Sequence, residues 1–363
     1  MNKPVFDAET FRRRLKLARE RSELTLRGLE EALGKSVAYS TLANYEAGRH
    51  FPDEHTLVRL GKVLNVGADW FYRSYTVEMS EVHFRKDAVF TAKEQKSLIA
   101  RASDFFEVYH EIEEITSSTR HFDRSGLHSS TINSPEAAED FASKLREHWG
   151  LGEDPVPSLT DLIEEKGIKV FSTGIEAKID GMQATTSVGP VMVLNTTPRG
   201  NKTNIPRQRL TTAHELGHVT LKLASHASDA DHEKTAWRFA AAFLLPKKHF
   251  IEAFGTARTK ISLEELMQLK LRFGASMWAI MHRAQDLKLI TEASYKRFSA
   301  YAGKSGWIKN GEPGDEHFKT SCPNARFAAL VSRAQAEQLI SESRAAEMLE
   351  MGGLPAPKPS KVF

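Results

Sequence analysis

The stretch that most constrains this chain is His214-Glu215-Leu216-Gly217-His218. On a helix, residues four apart stand about 40° apart around the axis, so the two imidazoles face one way and can share one metal ion, with the glutamate between them in sequence. Two neutral nitrogens, a third ligand from elsewhere and an open fourth position describe a catalytic Zn²⁺ site. There a carboxylate such as Glu215 takes the proton from water as it attacks a peptide carbonyl. With 14 histidines in 363 residues, chance alone yields such a pentapeptide in roughly one chain of this composition in twenty-five. Its context has to corroborate it.

A chain of 363 residues, 40% hydrophobic and 27% charged, is expected to fold into two or three soluble globular domains. The net charge of +3 permits nucleic-acid binding without demanding it. The single cysteine, Cys322, excludes an intrachain disulfide and any CxxC zinc module, which suits a reducing cytoplasm. No apolar run at the N-terminus reads as a signal peptide and none elsewhere reaches 18 residues, so a cytoplasmic protein without membrane contact is expected.

Residues 1–75 read as a small all-helical domain of about five short helices. The first carries Phe11, Leu15 and Ala18 at helical spacing among Arg12, Arg13, Arg14, Lys16, Arg19 and Arg21. Thr25 caps the second, Gly34 stops it, and a third runs over 38–46 before Gly48. The stretch Ser40-Thr41-Leu42-Ala43-Asn44-Tyr45-Glu46-Ala47-Gly48-Arg49, followed by Pro52, Thr56-Leu57 and Leu60, resembles the XRE-type helix-turn-helix family over about 65 residues. The resemblance implies that the third helix enters the major groove of an operator. Tyr39, Ser40, Thr41 and Asn44 would then face bases or phosphates, with Arg49 and the first-helix arginines near the backbone. The turn Gly34-Lys35-Ser36-Val37 is longer than the family's usual one. It is not a phosphate loop, because Leu29 stands where the first glycine belongs and no strand precedes it.

Residues 76–130 read as a connector: one long helix over 91–115, then a serine-rich linker. The helix carries an apolar stripe, Leu98, Ala102, Phe105, Phe106, Val108, Tyr109 and Ile112, that could pack on the following domain or pair with a second subunit. From 131 to 260 the pattern gives helices over 136–148 and 159–166, strands near 168–171, 180–185 and 190–195, and then the His214 helix. Leu221 and Ala224 occupy the positions where an extended zinc-protease motif places glycine and a third histidine. The missing ligand therefore comes from His226, Asp229, Asp231, His232 or Glu233. Glu233 shares a face with Ala236, Trp237, Ala240 and Leu244, where a zinc ion would neutralise a carboxylate aimed into a core. Periodicity alone leaves His232 open.

The element order over residues 131–350 resembles the ImmA/IrrE metallopeptidases. The matching residues are Gly167-Ile168-Lys169-Val170, Val193-Leu194-Asn195, Arg207, Arg209-Leu210-Thr211, Ala213 through His218, Glu233, Ala236, Phe239-Ala240-Ala241 and Leu244-Leu245-Pro246. The resemblance implies Zn²⁺ held by His214, His218 and Glu233, with Glu215 as the catalytic base. Trp237 and Phe243 depart from the family's usual residues, on the helix and away from the metal.

Residues 261–363 form a C-terminal helical region expected to pack on the peptidase. It holds a helix pair over 263–272 and 277–287 with helix-turn-helix spacing, a polar loop containing Trp307 and Pro313, two closing helices over 327–349 and a frayed tail. Cys322 could fill the fourth zinc position and hold the enzyme latent. The fold class expected is α+β and mostly helical: an all-α DNA-binding head, a zincin-like domain with a small sheet, and the helical C-terminal region. The function expected is a regulatory intracellular zinc endopeptidase, a homodimer on its operator. It would cleave a repressor or antitoxin-like protein to derepress phage, mobile-element or stress genes. The competing reading is a transcriptional repressor whose metal domain is a sensor or structural module.

Overall fold

The computed structural model describes residues 7–73, 77–84, 91–125, 131–132, 134–174, 179–197, 204–222, 228–318 and 323–356. Asp7, Thr25 and Asp53 cap helices α1 (Ala8–Arg21), α2 (Leu26–Ala32) and α4 (Glu54–Leu64), each accepting backbone N–H groups that the first helical turn leaves without partners. With α3 (Tyr39–Glu46) and a 3₁₀ turn, Ala68–Tyr72, they enclose a core of Phe11, Leu15, Leu29, Leu42, Leu60, Leu64, Trp70 and Phe71.

Three of the first-helix arginines, Arg14, Arg19 and Arg21, are turned to carboxylates within the chain, while Arg12 and Arg13 stay partly exposed. Arg14 is buried and grips Glu107; Arg21 binds Asp104 at 2.7 Å, Arg19 binds Glu46 at 2.6 Å, and Arg12 and Arg13 pair with Glu9. The physical reason is proximity. One side of α1 lies on α5 (Ala92–Ile115), and a buried guanidinium must find a carboxylate there. The cationic helix joins the head to the rest of the chain.

Four strands form one sheet in the order β1-β3-β4-β2. The strands β2 (Lys169–Thr173), β3 (Gly181–Thr186) and β4 (Gly189–Asn195) stand where the sequence pattern puts them. The fourth, β1 (Met79–Phe84), lies in the stretch read as connector and pairs antiparallel with β3 at the sheet edge. Its residues are half-buried or exposed, so its sequence lacks a strong apolar alternation. Within the sheet the period of two is sharp. Phe171, Met182, Ala184, Val191 and Val193 face one core, while Val170, Met192 and Leu194 face another.

The first core is closed by α5, α15 (Ala325–Ala336) and α16 (Glu342–Met351), with Phe105 stacked on Phe171 at 4.2 Å. The apolar stripe of α5 is thus spent inside the chain, leaving it no role as a subunit seam. The Thr91/Glu94 capping box starts that helix where the sequence places it. The second core is built by α6 (Pro135–His148), α7 (Leu159–Glu165), α8 (Ile205–Thr220), α9 (Asp229–Leu244), α10 (Lys247–Phe254), α11 (Leu263–Phe273), α12 (Met277–Asp286) and α13 (Glu292–Lys304).

In the C-terminal pair, Met277, Ile280, Met281, Arg283 and Ala284 are buried, so this face of α12 belongs to the second core. Trp307 does not sit in a polar loop: it is buried, opens a short helical turn, α14 (Trp307–Asn310), and packs edge-on against Phe298 at 5.9 Å. Among the described residues no helix is long and apolar enough to cross a membrane.

Candidate metal centre

Asn204 caps α8, whose Ala213, Leu216 and Val219 bury into the second core. Between them the helix carries two polar side chains inward: His214 is fully buried and Glu215 is 3% exposed. A buried ionisable pair persists only if something compensates it. Ser228 caps α9, which lies across α8. Gly217 allows that approach, since a Cβ there would stand 2.9 Å from the Phe239 ring and 3.5 Å from the Ala236 carbonyl oxygen.

The close crossing brings three donors together. The Nε2 atoms of His214 and His218 are 3.0 Å apart, and the Glu233 carboxylate oxygens lie 3.3 Å from each. Among the described residues this is the group whose donor atoms could hold one metal ion, all within 4.8 Å of one another. Zinc bonds of about 2.0 Å in a tetrahedron set donors about 3.3 Å apart, so the spacing fits that ion. The imidazoles, His214 foremost, hold the Glu233 carboxyl well below the usual carboxylate range.

Glu233 differs in one respect from its expected setting. Its side chain is 40% exposed and sits at the rim beside the histidines, while Ala236, Ala240 and Leu244 enter the core. Asp229 and Asp231 are exposed, the latter accepting from the Ser228 hydroxyl at 2.6 Å, and neither joins the group. His232 does not join it either. His226 and Cys322 lie outside the described residues.

Two neighbours bear on the group: Gly181, which sequence reasoning did not single out, and Trp237, which it placed on the helix away from the metal. Gly181, the first residue of β3, lies against Glu215: a Cβ there would come within 3.0 Å of its Cγ, Cδ and Oε1. Asn195 fixes the chain entering that strand, donating to the Ile179 carbonyl at 2.8 Å and accepting from Thr197 N–H at 3.0 Å. A glycine in a strand pattern marks a close approach without saying what approaches. The second neighbour is Trp237, which does not merely face the helix. Its indole stacks on the His214 imidazole, with ring centroids 4.0 Å apart. Phe243 is fully buried, against Trp149.

Because Gly181 bounds the Glu215 carboxylate, Gly181→Val is expected to displace it and to cost about 1–3 kcal/mol of stability from overpacking. Denaturant titration checks this, and a variant as stable as the wild type would show that Glu215 has room to spare.

In the head, Tyr39, Ser40 and Arg49 are exposed and Thr41 and Asn44 half-buried on or just after α3. Glu30 accepts from Tyr39 N–H at 2.9 Å, tying α2 to the start of α3. Arg49 reaches toward the Asn44 carbonyl oxygen Oδ1 at 3.5 Å.

Two histidines four apart on a helix, a carboxylate from the crossing helix and a glutamate beside the first ligand form the donor set of a metallopeptidase-like centre, here behind a helix-turn-helix head. Comparison with family models agrees: residues 163–285 match the IrrE N-terminal-like domain of the M78 peptidases, and residues 10–69 match a helix-turn-helix domain. The chain therefore joins a helix-turn-helix domain to an ImmA/IrrE-type peptidase domain. Neither the curated proteins nor the solved structures gave a match.

Proposed function

We propose that this protein is a DNA-binding zinc endopeptidase that cleaves a repressor or antitoxin-like protein and so relieves repression of phage, mobile-element or stress genes. The observation that carries the reading is the three-donor group whose spacing suits zinc, with Glu215 buried next to its first ligand in sequence. His214, His218 and Glu233 would hold the ion, which when bound supplies a Lewis acid toward water and a peptide carbonyl. Glu215 takes a proton from the attacking water on a carboxylate oxygen and returns it to the leaving amide nitrogen. Burial at 3% exposure keeps bulk water from competing for that proton. Gly181 bounds the carboxylate on its β3 side, so the base keeps its aim.

The head would place this chemistry at an operator, in a cytoplasmic homodimer whose two copies read two half-sites. Asn44→Ala is expected to weaken cognate binding by about 1–3 kcal/mol while sparing random DNA. Arg49→Ala should weaken both alike and lower the salt slope by about one. Mobility-shift titrations at several salt concentrations separate the two.

The function itself is tested by incubating the zinc-loaded protein with proteins encoded beside its gene and seeking one discrete pair of fragments by mass spectrometry. Chelation should remove the cleavage. A zinc-loaded protein that binds its operator and cuts none of these partners would favour the second reading, a repressor whose metal domain is a sensor or structural module.

A further inference from the structure

Glu233 and Trp237 stand one turn apart on α9, so both point toward α8. Glu233 reaches the two imidazole nitrogens, and the Trp237 indole lies over the ring of His214 at 4.0 Å with only 29° between planes. The His218 ring meets His214 nearly perpendicular, 4.6 Å between centroids and 81° between planes. His214 is thus bounded by an indole on a face and by a second imidazole at 81° to it. A histidine ring otherwise turns within a broad, two-fold torsional well about its χ2 bond. A flat wall at stacking distance confines it to one plane, and in that plane Nε2 points at the other two donors.

We propose that Trp237 is a positioning residue of the metal centre, its indole stacked on His214 so that the imidazole is held in its zinc-ligating orientation and covered from water. The electron-rich indole face also favours an imidazole that has given electron density to a cation. One helix therefore supplies a ligand and, a turn later, the support for a second ligand. Trp237 is half-buried whereas His214 is fully buried, so the indole forms part of the lid over that ligand. This inference rests on His214, His218 and Glu233 being the metal site.

Trp237→Ala is expected to weaken zinc binding about tenfold, the usual effect of removing a group that orients a metal-ligating histidine. Trp237→Phe, which keeps an aromatic face, should retain most of the affinity. Competition against a chromophoric chelator measures both, with the melting temperature of each metal-free variant taken alongside. A second readout does not depend on affinity. Cobalt(II) bound beside the indole quenches the share of emission due to Trp237, one of five tryptophans, and that quench should vanish in Trp237→Phe.

Affinity in Trp237→Ala within twofold of wild type, or an equal cobalt quench in Trp237→Phe, would overturn the proposal while leaving the metal site intact. A wild-type protein that binds neither zinc nor cobalt would remove the metal site and the proposal together. Should Trp237→Ala fail to fold, the quench in Trp237→Phe decides alone.

Discussion

Glu215→Gln is expected to lower partner cleavage by about 10²- to 10⁴-fold, the range that a positioned general base contributes, while the protein keeps its zinc. The substitution exchanges one carboxylate oxygen for an amide nitrogen of nearly the same size. The contact with Gly181, where a Cβ would already stand 3.0 Å away, is therefore kept, and no cavity opens beside β3. What is lost is the capacity to accept a proton. His214, His218 and Glu233 are untouched, so metal analysis should give the wild-type stoichiometry. Stability should hold or rise, because a neutral amide at 3% exposure avoids the desolvation of a buried charge. Single-turnover cleavage, zinc content and thermal melting measured together give the result its meaning. Cleavage at the wild-type rate with zinc bound would sink the endopeptidase reading with Glu215 as its base, and operator binding unaffected by the substitution would leave the repressor reading standing.

Much of this site was legible because its chemistry is local. The pair His214 and His218 is fixed by helical spacing alone. Periodicity left Glu233 and His232 undecided; with α9 close against α8 at Gly217, it is Glu233 that reaches the imidazoles. Contacts between distant segments were not legible. The strand starting at Gly181 meets Glu215 from 34 residues away in sequence, and a glycine carries no side-chain signal of what approaches it. Trp237 read as a departure from the family pattern lying away from the metal, because stacking on an imidazole leaves no periodic trace. Likewise β1 was hidden by its half-exposed edge position. The ion pairs of Arg14, Arg19 and Arg21 were not legible either, because composition reports charge without reporting whether a carboxylate lies opposite.

Those arginines carry the second large effect. Arg14 of α1 is 1% exposed, donates through Nη1 to Glu107 on α5 at 2.7 Å and through Nε to the Arg73 carbonyl at 3.0 Å, and lies over the Trp70 ring at 4.8 Å. Removing the Glu107 carboxylate takes away the charge-assisted hydrogen bonds that Arg14 makes to it while the guanidinium stays buried, so Glu107→Ala is expected to cost about 3 kcal/mol. Replacing both partners by apolar groups of similar volume, Arg14→Met with Glu107→Leu, should be nearly neutral or stabilising, because it also removes two desolvation penalties. Denaturant titrations of the two single variants and the double variant give the coupling directly. The neighbouring pair adds a pH signature. Burial pushes the Asp104 carboxyl up from 3.8 to about 6, against the opposing pull of Arg21. The folded protein therefore holds this proton across the window from about 4 to 6 while the unfolded chain releases it, and this group's stabilisation is lost as pH rises through that window. Asp104→Asn should flatten the dependence. Because α5 bears the head on one side and the sheet that carries Gly181 on the other, the loss in Glu107→Ala should appear as an earlier, separate melting of the head. A single transition, with all variants within about 0.5 kcal/mol of wild type, would mean that the buried ion pair does not hold the DNA-binding head to the peptidase.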